Sequence, residues 1–405
     1  MALADSPFAG DGLVKLVLLC DYVEEGWPSM DLVAEMIATH LDPVEHEVTR
    51  FRPEFRKRAR KVPILGRSAP GFAVNADRLL NRMWDYPRAL KPIVRSGRFD
   101  VFHVVDHSYS QLVHALPAGR TVVTCHDIDT FRYVLEPELY PRPAWFRAMI
   151  RHVMAGLAKA AAVACDSVAT RDALAALQLL SYERLHVVYL AVHPECSPRV
   201  DPEADERVKQ WLGSVESSPT YLLHVGSNIE RKRIDVLLAV FADVAKSRPD
   251  VRLVKVGGEL TPAQESQAVA LRIRDRVLTL PPFDPSSSKD RAGLAAVYRR
   301  AGVVLMPSEA EGFGLPVVEA LACGVPVIAT DLPVLREVGG DAVTYCKLGD
   351  VHAWANAVIE LLSETAESRE ARQGRGFERA RLFSWSTHAA RLAEVYRDVV
   401  DSGSG

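Results

Sequence analysis

Two short apolar runs, Val303-Val-Leu-Met306 and Val325-Pro-Val-Ile-Ala-Thr330, flank a segment with room for one short helix. Runs of that length read as buried strands, and strands joined through a helix lie parallel, so the stretch predicts a βαβ unit. Pro316 suits the first helical position, where a missing N–H costs nothing. Gly324 suits the residue past the end, where a positive φ is wanted. The crossover helix is expected over Leu315 to Cys323. Gly312 and Gly314 leave the loop before it without side chains, so backbone amides and the positive helix end can approach an anion closely. A phosphate fits there.

The same plan recurs along the chain. Strands are expected at Leu13–Cys20, Asp100–Val105, Arg120–His126, Ala162–Ser167 and Val187–Val192. After a polar connector over Asp201 to Gly213 they resume at Tyr221–Val225, Arg252–Val256 and Arg276–Leu280. With 405 residues, 48% of them apolar, the chain can build two cores. The expected fold class is α/β, two Rossmann-like domains over residues 1–200 and 201–386, with a final helix at about 387–400. The dinucleotide fingerprint G-x-G-x-x-G is missing after the first strand, where Gly26 stands alone, and this removes the main support for an NAD site.

Candidate chemistry collects at strand ends. Glu311 lies in the glycine loop and Glu319 one turn into the helix among Val317, Val318, Ala320, Leu321 and Ala322, a costly setting for an unpaired carboxylate. Spacing alone equally fits a tight turn with one surface glutamate and one placed by the helix dipole. Gly226-Ser227 follows a strand, and Arg231, Lys232 and Arg233 crowd a helix start, where acids are usual, so something negative should offset them. A solvent-facing basic turn is the plain alternative. His126-Asp127 and Asp106-His107-Ser108 end two further strands and face the crevice of an open sheet. Asp127-Ile-Asp129 also spells the D-x-D of metal–diphosphate sites, and one triplet is too little to carry that reading.

The run Glu311-Gly-Phe-Gly-Leu-Pro-Val-Val-Glu319, continuing through Ala-Leu-Ala-Cys-Gly-Val-Pro-Val-Ile-Ala-Thr-Asp331 to Asp341, resembles the donor-site signature of family 4 retaining glycosyltransferases of the GT-B fold. The resemblance implies two facing Rossmann-like domains with the site in the cleft between them, and a final helix, about 387–400, that packs back on the first domain. It implies transfer of a hexose from a nucleoside-diphosphate sugar, GDP-mannose or UDP-glucose in type, to an acceptor hydroxyl in polysaccharide or glycoconjugate assembly. Lys232, with Arg231 or Arg233, would bind the donor diphosphate together with Gly226, Ser227 and the amides of Gly312, Phe313, Gly314 and Leu315. Glu311 would bind the sugar, Glu319 the ribose, and His126 the sugar near its C6 hydroxyl. Gly26 would face the donor, and Asp106, His107 and Ser167 the acceptor side. No metal and no cofactor beyond the donor is implied. The usual Gly-Arg at the strand end is Gly226-Ser227 here, which leaves room for a non-catalytic nucleotide-sugar binder, and an epimerase on the same fold is the other alternative.

From Arg50 to Arg67 eight basic residues face only Glu54, with Phe51, Phe55, Ile64 and Leu65 interleaved. The run reads either as a solvated face or as contact with an anionic membrane or a phosphate-bearing, glycan or lipid-linked acceptor. The net charge of −3 argues against a surface built for nucleic acid. Six scattered cysteines without metal spacing predict reduced, buried thiols and a cytoplasmic setting. Residues 1–12 lack signal-peptide character, and no run reaches the ~20 apolar residues of a bilayer span, so any membrane contact is expected to be peripheral, at the inner face.

Overall fold

The computed structural model describes residues 13–59, 70–213, 220–284 and 287–403. Its strands form two six-stranded parallel sheets. The first contains β1 (Val14–Leu19), β2 (His46–Phe51), β3 (Val101–Val104), β4 (Thr121–Cys125), β5 (Ala162–Cys165) and β6 (Leu185–Val187), ordered β2-β1-β3-β4-β5-β6. The second contains β7 (Tyr221–Val225), β8 (Arg252–Val256), β9 (Val277–Leu280), β10 (Val303–Met306), β11 (Val327–Thr330) and β12 (Thr344–Cys346), ordered β12-β11-β10-β7-β8-β9. Helices cover both faces of each sheet, so central strands such as Leu16–Leu19 and Val303–Met306 are apolar at every position and almost without exposure. In each sheet the winding reverses once, between β1 and β3 and between β7 and β10. Such reversals open a crevice beyond the strand C-termini, where ligands bind in open α/β sheets.

The crossover helix spans Leu315–Ala322, with Gly314 at φ +96° before it and Pro in its first turn. Its buried face, Val317, Val318, Ala320, Leu321 and Ala322, joins it to the sheet. The final helix, Trp385–Gly403, packs on the first sheet although it lies beyond the second in sequence. There the Tyr396 hydroxyl lies 2.7 Å from His103 Nδ1, and His388 Nδ1 lies 2.7 Å from the Tyr189 carbonyl.

Three elements depart from the sequence expectation. Residues 201–213 are no connector. Asp201 caps a helix, Pro202–Leu212, through the amides of Glu203 and Ala204, and Ala204, Val208 and Leu212, four apart, are buried. Charged residues between those three hide the stripe in a composition reading. β6 is Leu185–Val187, and the apolar residues after it leave the sheet; Leu190 and Ala191 are buried and the Val192 amide binds the Phe383 carbonyl. Their apolarity reflects packing under the final helix. β2 was absent from the expected strands because its mixed sequence, His46-Glu-Val-Thr-Arg-Phe51, belongs to an edge strand.

The two sheets meet across a closed contact. A Cβ on Gly312 would fall 1.6 Å from the His126 carbonyl oxygen, so only glycine admits this approach. The Gly312 carbonyl accepts hydrogen bonds from Ser167 Oγ at 2.7 Å and Thr170 Oγ1 at 3.1 Å. Glu337, from the helix Pro333–Gly339, accepts from the amides of Val168 and Ala169 at 2.6 and 3.0 Å. It thus caps the helix Val168–Ala176 of the other half, a favourable place for a carboxylate.

Candidate active site

At the second reversal, Gly226 and Ser227 follow β7 and the loop 307–314 follows β10. Glu311 in that loop is nearly enclosed, its side chain 6% exposed. Lys232 Nζ lies 2.6 Å from Oε1 and Arg231 Nη1 lies 3.2 Å from Oε2. Burial works against the charge of Glu311, but Lys232 and then Arg231 outweigh it and hold the carboxyl below its ordinary range. Arg231 Nη1 also donates to the Ala310 carbonyl at 2.7 Å, and the Glu309 amide donates to the Arg231 carbonyl at 2.7 Å. The short turn Glu230–Lys232 and the glycine loop are thereby stitched together. Arg233, left-handed at φ +49°, faces away, paired with Asp235 at 2.8 Å and Glu309 at 3.6 Å. Of the two arginines considered beside Lys232, Arg231 stands at Glu311.

Beneath this loop β8 contributes a group the sequence reading passed over. Lys255 is fully buried, with Nζ 3.0 Å from the Gly258 carbonyl and 3.4 Å from that of Gly226. Burial pulls its ammonium down to about 8. Gly257, at φ +109°, packs so close that a Cβ would meet the Gly226 carbonyl oxygen at 2.3 Å. Lys255 therefore locks two backbone turns into one floor. A lone lysine in an apolar strand was the available signal. Glu319 accepts from the Tyr298 hydroxyl at 2.7 Å; burial raises its carboxyl, and that hydrogen bond partly offsets the rise.

The opposite wall is built differently. His126, after β4, has Nδ1 2.6 Å from Asp166 Oδ2 and Nε2 2.9 Å from the Val105 carbonyl. Burial disfavours its charge, yet the Asp166 carboxylate, then Asp106 and the Val105 carbonyl, raise it to about 9. The ring is an imidazolium with both N–H groups committed, so neither nitrogen is free to grip a sugar hydroxyl as expected. Asp106 accepts from the Ser108 amide at 2.7 Å and its hydroxyl at 2.5 Å. Burial opposes its charge, but His107, His126 and Ser108 bring it down to about 2. His107 Nδ1 lies 3.3 Å from Asp106 Oδ1, and its Nε2 lies 3.8 Å from Asp127 Oδ1. Asp127 and Asp129 both reach Arg231 across the cleft, at 3.3 and 2.9 Å.

Two expected side chains lie elsewhere. Ser167 is fully buried, its hydroxyl spent on the Gly312 carbonyl and the Thr170 amide, so it closes the interdomain contact and does not face an acceptor. The Phe313 ring is 3% exposed and packs against Phe383 at 5.4 Å and Tyr189 at 6.4 Å, which leaves only its backbone at the loop. Gly26, at φ +73°, lines a cavity of about 570 Å³ with Trp27, Arg50 and Arg52 on one side and Pro282, Phe283 and Asp284 on the other. Leu315 opens the crossover helix, half-buried.

These positions can be set beside known proteins. The model described as Glycosyltransferase Family 4 matches residues 31–195, and that described as Glycosyl transferases group 1 matches residues 209–378. The chain belongs to the family 4 glycosyltransferases. A D-inositol 3-phosphate glycosyltransferase of Xylanimonas cellulosilytica is 37% identical over 226 residues, 53% of this chain and 51% of that protein. The phosphatidyl-myo-inositol mannosyltransferase of Mycobacterium leprae is 36% identical over 177 residues, 43% of this chain and 45% of that one. The chain thus spans about half the length of these relatives. The O-antigen chain mannosyltransferase B of Escherichia coli is 27% identical over 69% of this chain and 70% of its own. Among solved structures, Anabaena Alr3699/HepE in complex with UDP and glucose superposes with a TM-score of 0.69 at 18% identity, covering 95% of this chain and all of that one. WaaG, a glycosyltransferase involved in lipopolysaccharide biosynthesis, gives 0.65 at 15% identity over 94% of this chain and 99% of that one. The fold is GT-B, two facing Rossmann-like halves.

In this family 4 chain the basic segment is partly neutralised from within. Arg52 pairs with Asp31 and Arg58 with Asp85, while Arg56 lies 3.7 Å from Asp85. Residues 60–67, with Arg60, Lys61 and Arg67, lie outside the described residues. Beside the segment, Leu80, Trp84, Arg88, Lys91 and Arg95 are exposed at helical spacing, while Asp77 and Asp85 turn inward. No helix among the described residues is long and apolar enough to cross a membrane, and all six cysteines are buried and unbridged.

Proposed function

We propose that the chain transfers a hexose from a nucleoside-diphosphate sugar to an acceptor hydroxyl with retention at the anomeric carbon. The observation that carries this is the charged Glu311 carboxylate held by Lys232 and Arg231 at the glycine loop, where a helix N-terminus and two cations converge. As the bond from C1 to the diphosphate oxygen breaks, the leaving diphosphate keeps the electron pair. Lys232, Arg231 and the amides from Gly312 to Leu315 stabilise that charge. The acceptor oxygen then bonds C1, and a donor phosphate oxygen takes its proton. His126, already protonated, serves as a fixed positive charge and not as a base. Glu311 orients sugar hydroxyls and Glu319 the ribose. No resident cofactor or metal takes part.

The mannosyl transfer named for two relatives favours GDP-mannose over UDP-glucose as donor, and the acceptor is a glycan or lipid-linked one, in polysaccharide or glycoconjugate assembly at the cytoplasmic face of a membrane. The bilayer contact runs through residues 50–59 and the adjoining face of Leu80, Trp84, Arg88, Lys91 and Arg95, each cation adding about 1 kcal/mol near anionic lipid. Incubation with each donor and candidate acceptors, followed by NMR, tests the reading. An α-linked product from an α-linked donor, formed equally in EDTA, supports it. Consumption of donor alone into an isomer points to an epimerase, and donor binding without turnover or slow hydrolysis points to a binding protein.

A further inference from the structure

The triplet Asp127-Ile-Asp129 has no part in the reaction above, yet its position is specific. Arg231 is ringed by three carboxylates: Glu311 at 3.2 Å from its own half, and Asp127 at 3.3 Å and Asp129 at 2.9 Å from the other. Asp129 lies within ion-pair distance of Nε but out of line for a hydrogen bond there. With Lys232 and Arg132 added, three cations face these three anions, so the charge of Arg231 is already neutralised where a diphosphate would have to enter. Each aspartate also has, through its other oxygen, a second neighbour on its own side. Asp129 Oδ1 lies 3.3 Å from Arg132 Nη1, and Asp127 Oδ1 lies 3.8 Å from His107 Nε2, a buried atom without a hydrogen-bond partner. Both neighbours belong to the first half of the chain, on the aspartates' own side of the cleft.

We propose that Asp127 and Asp129 act as an internal anion that occupies Arg231 while the cleft is empty and yields it to the donor diphosphate. The aspartates are positioning residues. They hold Arg231 aligned and the cleft closed, release it and keep only their Arg132 and His107 neighbours when a diphosphate arrives, and recapture Arg231 as the nucleoside diphosphate leaves. A two-position carboxylate of this kind is a bistable element, and its balance shifts by the ligand's differential affinity for the two arrangements. Burial leaves the Asp129 carboxyl raised, with Asp127 and Glu311 adding to the rise and Arg231 and Arg132 opposing it.

The inference rests on the donor reading given above, and the test separates the two. In Asp127→Asn/Asp129→Asn, titration calorimetry with GDP, UDP and inorganic pyrophosphate should show binding roughly tenfold tighter than wild type, since the competitor is gone. Hydrogen exchange in the ligand-free variant should be faster over residues 127–131 and 309–312. In turnover, KM for donor should fall without a rise in kcat. The single variant Asp129→Asn should move the same way by less. A merely structural role would weaken binding. Unchanged or weaker diphosphate binding, or unchanged exchange in the empty variant, overturns the proposal, as does binding that needs Mn²⁺ and is lost in the variant. If neither protein binds a nucleoside diphosphate while exchange still accelerates, the ionic contact stands, and the donor reading falls together with the handover.

Discussion

The two reversals of strand order are topologically alike and chemically opposite. Between β1 and β3, Asp21 and Asp106 follow adjacent strands, and between β7 and β10, Gly226 and Glu311 do. Burial raises the cost of charge at Asp21 and at Glu311 alike. Asp21 has no hydrogen-bond partner at either oxygen and faces Asp106, so burial and that neighbour push its carboxyl well up. Glu311 meets Lys232 and Arg231 and stays ionised. The lesson is that depth does not decide charge; the partners within hydrogen-bond reach do. One wall of the cleft is spent on holding itself together, and the other keeps cations aligned beside a glycine loop.

The contrast can be broken at its strongest point. Lys232→Ala removes one of the two cations of the second wall and should lower kcat by roughly 10²–10³, the effect of deleting one preorganised charge stabiliser. A change under tenfold would mean Arg231 alone suffices and the comparison is overstated. Gly312→Ala places a methyl against the His126 carbonyl and should prevent the two walls from meeting, costing on the order of 10² in kcat/KM while the second half still binds nucleotide. Full activity in that variant would show that turnover does not use this closed contact.

Smaller effects sharpen the comparison. Glu337→Gln weakens the cap on the helix Val168–Ala176 and should cost about 1 kcal/mol of the interdomain contact, read as faster hydrogen exchange at the Val168 and Ala169 amides. The self-contained first wall predicts pH effects on stability. His126, raised from 6.5 to about 9, adds stability that is complete below its unfolded value and is lost as pH rises through about 9. Asp21 is also raised, so its contribution is present below the ordinary carboxylate range and lost as pH rises. Asp21→Asn should therefore gain on wild type as pH climbs from 4 to 7, by about 1 kcal/mol, because an amide can donate to Asp106 where a carboxylate repels it. Equal melting curves across that range would place a counter-charge beside Asp21.

Residues in the site differ in how far the sequence reveals them. Gly312, Gly314 and Pro316 are readable because each answers a local demand: a close approach, a positive φ, a helix start. The cations at 231–233 are readable as an anomaly at a helix N-terminus, but the choice among them is not, since the left-handed turn at Arg233 swings that side chain to Asp235. Lys255 hides among apolar strand residues, and Ser167 and Phe313 look like cleft groups until the other half of the chain covers them. The stripe of Ala204, Val208 and Leu212 was masked by the charges between them.

By itself, the sequence determined the alternation of buried parallel strands with covering helices, the βαβ unit around 303–330 and the donor-loop signature, because periodicity, backbone conformation and short motifs are properties of neighbouring residues. The tertiary structure alone decided which charges pair, that His126 is saturated by Asp166 and the Val105 carbonyl, and that Asp127 and Asp129 reach Arg231. Most of these contacts join residues from 40 to 104 positions apart, and in each the state of a group is set by whatever the fold brings within about 3–4 Å of it, which no local pattern encodes.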